Sequence, residues 1–143
     1  MKAPLVARIL GLLFVLAGIA GFVPWVAPAA PLDANVITLD AGYRMLFGLF
    51  PVNVAHDALH LIFGVWGLIA GGRFGASVIY CRSVVWVYLV LIVLGAIPIT
   101  NTLFGVAPIY GWDVGLHVVI LLLGAYGGYG RASIREDAQA PSA

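Results

Sequence analysis

Three histidines and two aspartates stand inside apolar sequence that offers almost no other chemistry. His56, Asp57 and His60, with Asn53 one turn earlier, lie in an apolar stretch from about Phe47 to Gly72. Asp113 and His117 lie in the last apolar stretch and repeat the spacing of His56 and His60. Ionisable groups within a membrane segment are costly, so they mark a candidate site by default. Two imidazoles four residues apart share one helical face and can hold a transition metal. His56, His60, Asp113 and His117 are therefore the candidate metal ligands, with carboxylates binding directly or orienting the rings. Alternatively, His60 and His117 are placed to ligate a haem axially. With no Cys-x-x-Cys-His motif, that haem would be non-covalent.

The same six residues, Asn53, His56, Asp57, His60, Asp113 and His117, also suit a buried polar clasp. Imidazoles would then bond carboxylates and fix helix register, because polar groups in lipid need internal partners. This structural or interaction role is the leading expectation, and metal or haem binding for redox or transport chemistry is the alternative. A proton relay is a further use of buried Asp and His, but nothing polar extends the path beyond Gly64 or Gly124. No serine or cysteine shares the polar stripe as a nucleophile, so an enzyme is not the expectation.

Composition decides the surroundings. The chain is 63% hydrophobic and 9% charged, against about 25% charged residues in a soluble domain. Its mean hydropathy is +1.09. A net charge of +1 gives no basic patch for nucleic acid. The lone Cys81 permits no internal disulfide. Beside Arg82, it is read as an inert residue near the cytoplasmic surface.

A bilayer core about 30 Å thick needs roughly 20 apolar residues per helix. Four stretches qualify, at about 4–23, 47–72, 84–103 and 111–129, the third helix ending near Pro98. The expectation is an all-α protein, residues 1–130 forming a four-transmembrane-helix bundle in a bacterial plasma (inner) membrane. Lys2 and Arg8 at the first span, Arg73 and Arg82 in the short loop between the second and third, and Arg131 and Arg135 after the fourth fall on one side if the spans alternate, which makes both termini cytoplasmic. Arg44 falls outside, one turn after Asp40, as an interfacial ion pair. The tail 131–143 reads as disordered. A cleaved signal peptide ending near Ala27-Pro28-Ala29 is the weaker reading of the N-terminus, because its apolar run is long and prolines crowd the cleavage site. Trp25, Trp66, Trp86 and Trp112, with the tyrosines, suit interfacial anchoring.

The halves resemble each other. Gly21-Phe22-Val23-Pro24 parallels Gly95-Ala96-Ile97-Pro98, and Ala58-Leu59-His60 parallels Gly115-Leu116-His117. Each half reads as a helical hairpin, the two forming parallel repeats about an axis along the membrane normal. At about 100° per residue, Asn53, His56, Asp57, His60, Gly64, Gly67 and Gly71 share one stripe. Asp113, His117, Ile120, Gly124 and Gly127 share another. The stripes are expected to face each other, with small residues permitting close helix approach. At about 1.5 Å per residue, His60 and His117 lie roughly 20 Å from the inner arginines. The loop Pro24–Tyr43, with its β-branched Val36-Ile37-Thr38, could cap the outer surface. The glycine faces also suit a homo-oligomer or a membrane partner subunit, beside the lipid bilayer itself.

Pro51-Val52-Asn53-Val54-Ala55-His56-Asp57-Ala58-Leu59-His60, then Leu61-Ile62-Phe63-Gly64 and Gly67-Leu68, resembles the signature of the domain of unknown function 4383 family. Asp113 with Leu116-His117 is similar to that family's second short motif. The resemblance covers about residues 9–128. It implies a small bacterial four-helix integral membrane protein and brings no substrate with it.

Overall fold

A computed structural model describes residues 2–31 and 42–130. The expected Asp40–Arg44 pair, the Val36–Thr38 patch, Arg131, Arg135 and the tail expected to be disordered all fall, wholly or in part, outside the described residues. Among the described residues there are four helices: α1 (Lys2–Gly21), α2 (Val54–Ala70), α3 (Phe74–Ala96) and α4 (Trp112–Tyr129). Between α1 and α2 stand two short strands, β1 (Arg44–Leu46) and β2 (Phe50–Val52). By length and composition α1, α3 and α4 can each cross a membrane, while α2 is apolar but shorter, at 17 residues.

The helix limits differ from the expected spans in two places. The stretch expected to span 47–72 opens as a hairpin, not a helix. β1 and β2 pair antiparallel, Arg44 opposite Val52 and Leu46 opposite Phe50. The turn between them places Phe47 at φ 53° and Gly48 at φ 69°, a backbone that no helix continues. A short apolar run does not distinguish strand from buried helix by periodicity. Ala27, Leu46 and Val52 form a small separate core beneath this hairpin. The hairpin is built from residues 44–52, most of them expected to be helical, and the greater part of the loop expected to form a cap lies outside the described residues.

The third helix begins at Phe74, upstream of the expected Val84, and stops at Ala96. Arg82 and Cys81 accordingly lie within α3 and not in a loop. Arg82 is tolerated there because its Nε donates to the Gly128 carbonyl at 2.9 Å and its guanidinium sits over Tyr129. The stop precedes Pro98, whose ring disfavours helix in the residue before it. Ile97 is extended, at φ −102° and ψ 118°. Residues 97–111 then form turns and irregular loop, so the end of the expected 84–103 span is loop.

Small residues set how the helices meet. α1 runs antiparallel along α2: Gly11 lies against Gly64, Gly67 and Leu68, and Gly18 against Asp57 and Leu61. α3 runs antiparallel along α4: Gly124 lies against Cys81 and Val84, and Gly95 against Val114 and Ile109. The glycine ends of the two stripes thus pack on α1 and α3, and do not face each other as expected. Leu10, Phe14, Tyr80, Val84, Tyr88 and Ile120 fill the core between the pairs. Leu5, Leu12, Ile62, Ile69, Val90 and Leu122 face outward, an apolar exterior that suits a membrane environment.

A Cβ on Gly11 would lie 2.6 Å from the Leu68 nitrogen and 2.9 Å from the Gly64 oxygen, whereas one on Gly115 meets nothing within 4 Å. Backbone atoms cannot turn aside as side chains can. Gly11→Ala therefore lowers stability by about 1–3 kcal/mol, the range for overpacking. Gly115→Ala is neutral or stabilising by up to about 1 kcal/mol through helix propensity. Denaturant unfolding of both variants in micelles checks the opposite signs.

Candidate functional site

The first turns of α2 and α4 carry the polar residues. Asn53 starts α2 by capping it: its extended backbone leaves the side-chain oxygen to accept from the His56 N–H at 2.9 Å. Its amide also donates to the Val106 carbonyl at 2.9 Å, tying α2 to the α3–α4 loop. Gly111, at φ 68°, turns the chain into α4. One turn of helix separates His56 from His60 and Asp113 from His117, which stacks each pair on one face.

The structure brings His56, Asp113 and His117 together. Each offers a donor atom, and these atoms lie within 4.8 Å of one another. All three residues are buried, with 5%, 2% and 2% of their surface exposed. His117 Nε2 lies 3.3 Å from Asp113 Oδ2, yet that oxygen accepts no hydrogen bond. The two atoms are in contact without forming a hydrogen bond. Tetrahedral zinc with N and O ligands at about 2.0–2.1 Å spaces its ligands by about 3.3 Å, so the separation fits two atoms sharing one ion. The Pro108 backbone hydrogen-bonds the His56 ring, while His56 Nδ1 and His117 Nδ1 have no partner. A carbonyl behind a ligating ring is the usual orienting support for a metal histidine.

His60 stands beside this group. Its ring centroid is 4.6 Å from that of His56, and it stacks on Phe14 at 5.7 Å and 15°. It is outside the three-residue set, so of the four residues expected as ligands three converge. Asp57 lies elsewhere: its carboxylate packs against Gly21 at the end of α1, where no Cβ would fit. Both its oxygens are buried without a hydrogen-bond partner.

Sequence reasoning passed over Phe14 and Tyr88. The Tyr88 ring meets His117 edge-to-face at 4.9 Å and 83°, and stacks on Phe14 at 5.7 Å. Both are aromatic residues in apolar helices, and no local pattern separates them from core. Pro108 acts through its backbone, which the residue type does not advertise.

Two clefts flank the cluster. One, of about 130 Å³, lies between α2, α3 and the α3–α4 loop and is lined by His56, His60, Tyr88 and His117. The other, of about 210 Å³, lies between α1, α4 and the β-hairpin and is lined by Phe14, Val52, His60 and Asp113. Both are small beside ligand pockets of roughly 300–1,000 Å³, and neither has room for a tetrapyrrole. The space does not favour the haem alternative at His60 and His117.

Asn53 does two structural jobs with one side chain. Asn53→Ala removes the cap and the loop tie and costs about 1–2 kcal/mol. Asn53→Asp keeps the cap oxygen, loses the donor to Val106 and costs less. Unfolding midpoints of the two variants check the order.

No curated protein and no solved structure matches the chain. The family profile described as Domain of unknown function (DUF4383) matches residues 5–130. The match takes in nearly all of α1, the other three helices and every residue of the His/Asp cluster, and the chain belongs to that family.

Proposed function

We propose that this protein is a bacterial plasma-membrane protein that binds a transition metal ion through His56, Asp113 and His117. The observation that carries the reading is the convergence of two imidazoles and a carboxylate, each with a ligand atom within 4.8 Å of the others and all buried, with His56 Nδ1 and Asp113 Oδ2 lacking hydrogen-bond partners. A clasp that served only to hold helices would satisfy its own hydrogen bonds, because each unpaired buried polar atom costs roughly 1–3 kcal/mol. A cation answers all three donors at once. Two nitrogens and one oxygen suit zinc or a similar divalent ion, and three protein ligands leave a fourth position open. The purely structural reading keeps one supporting observation, the double role of Asn53 as cap and tie.

In this reading all four helices cross the bilayer as two hairpins related as parallel repeats, with both termini cytoplasmic. Support comes from where the cations sit. Lys2 lies over Tyr126, Arg8 against Gly71 and Arg82 over Tyr129, all at the glycine-rich end. Arg44 lies over Phe22 at the opposite end. Cationic clusters mark the cytoplasmic side, so the metal site lies in the half of the membrane facing away from the cytoplasm.

Elemental analysis of protein purified in detergent is expected to give close to one metal ion per chain. Cobalt added to the stripped protein is expected to give a tetrahedral visible spectrum. His117→Ala weakens metal affinity by more than about 100-fold, beyond the roughly 10–100-fold typical of an orienting partner. His60→Ala leaves the stoichiometry unchanged. A folded protein that neither carries metal nor takes up zinc or cobalt overturns the reading.

Orientation has its own test. A fluorescent-protein fusion after residue 130 is expected to glow and an alkaline phosphatase fusion there to be inactive. The reverse pattern would place the C-terminus outside.

A further inference from the structure

His60 is left without a role once the three converging donors are assigned. It is nine-tenths buried, its Nδ1 has no partner, and it lines both clefts beside the cluster. The larger cleft, between α1 and α4, is about 210 Å³. A cavity of roughly 150 Å³ lined by apolar side chains holds one benzene ring. The α1–α4 cleft therefore has room for a six-membered ring with a small substituent. Its walls are apolar except for His60 and Asp113. Leu13, Leu116 and Val119 line it and are also exposed on the outer surface, so it opens sideways between helices. In a bilayer that opening faces acyl chains, and only a lipid-soluble molecule reaches it.

The chemistry of the two polar groups narrows the occupant. Asp113 Oδ2 lies 3.3 Å from His117 Nε2 and belongs to the metal set, which leaves His60 Nδ1 as the acceptor without a partner. A neutral imidazole has one accepting nitrogen. An apolar ring that donates a hydrogen bond, a phenol, satisfies this wall. A ring bearing only ether or carbonyl oxygens has nothing to donate.

We propose that the α1–α4 cleft binds the ring of a lipid-soluble phenol, which includes hydroquinones, with its hydroxyl donated to His60. The ring lies beside Phe14 and enters from the bilayer past Ala17. This goes beyond metal binding, and His60 is outside the metal set, so the two readings fail separately: protein that never takes up metal can still bind the phenol.

The test uses full-length protein in nanodiscs, with empty nanodiscs correcting for partition into lipid. The probes are 4-propylphenol and 4-propylanisole, which differ in the donating hydroxyl. Saturable binding of the phenol is expected, with a shift of the His60 imidazole nitrogen resonances. The anisole is expected to bind at least about tenfold more weakly, the effect of losing roughly 1.4 kcal/mol. His60→Phe keeps a ring in place and lowers phenol affinity by a similar factor. Ala17→Trp fills the mouth from a half-buried position and does the same without altering a polar group. Should His60→Phe fail to fold, Ala17→Trp and the paired probes still decide. Equal binding of phenol and anisole, full phenol affinity in either folded variant, or no saturable binding to the folded protein overturns the proposal.

Discussion

Inside an apolar chain, each polar atom without an internal partner raises the free energy of the fold, and few partners are available. The backbone meets this demand through helices. The side chains of the first turns of α2 and α4 meet it only in part. Asn53 satisfies its neighbours on both sides. His56, Asp113 and His117 instead bring donor atoms together and leave several unpaired. That imbalance is the local conflict expected at functional sites, where stability gives way to chemistry.

Close helix contact is what holds the cluster in place. Gly11, Gly64 and Gly67 let α1 and α2 touch through their backbones, and Gly95 and Gly124 do the same for α3 and α4. Tyr80, Tyr88 and Phe14 then fill the middle as large, stiff rings. His117 leans on Tyr88 and His60 on Phe14. The ring positions at the site are thus set by aromatic neighbours anchored on other helices, which is the kind of support a preorganised site requires. The Pro108 backbone, held by a loop that Asn53 ties down, completes the frame around His56.

Helix number and the identity of the cluster were legible in the sequence, because apolar length and misplaced charge are strong local signals. His56, Asp113 and His117 could be picked out by type and spacing alone. Their exact partners could not, since Tyr88 and Phe14 look like any other core aromatic. The β-hairpin was missed because Phe47-Gly48-Leu49-Phe50 reads as continuous apolar sequence, and only the positive φ of Phe47 and Gly48 reveals the turn. Arg82 was misplaced in a loop because charge ordinarily ends a membrane helix. Here a carbonyl and an aromatic face on α4 receive it, and that contact lies far away in sequence. The glycine stripes were read correctly as contact faces but given the wrong partners: spacing defines a face and says nothing of what it meets.

In the proposed repeat the two halves differ where they meet. Aligned on His60 and His117, the halves place His56 over Asp113. Were the halves identical, they would offer either four imidazoles or two carboxylates with two imidazoles, arranged symmetrically about the central axis. The observed set is lopsided: Asp113 and His117 come from one half and His56 from the other, while His60 turns to Phe14. A symmetric arrangement would surround an ion evenly and close its coordination. The lopsided one leaves a side of the site to the apolar clefts, which reach His117 from α3 and Asp113 from α1. An ion held there would sit beside two clefts with mostly apolar walls, a setting in which electrostatic effects are strong.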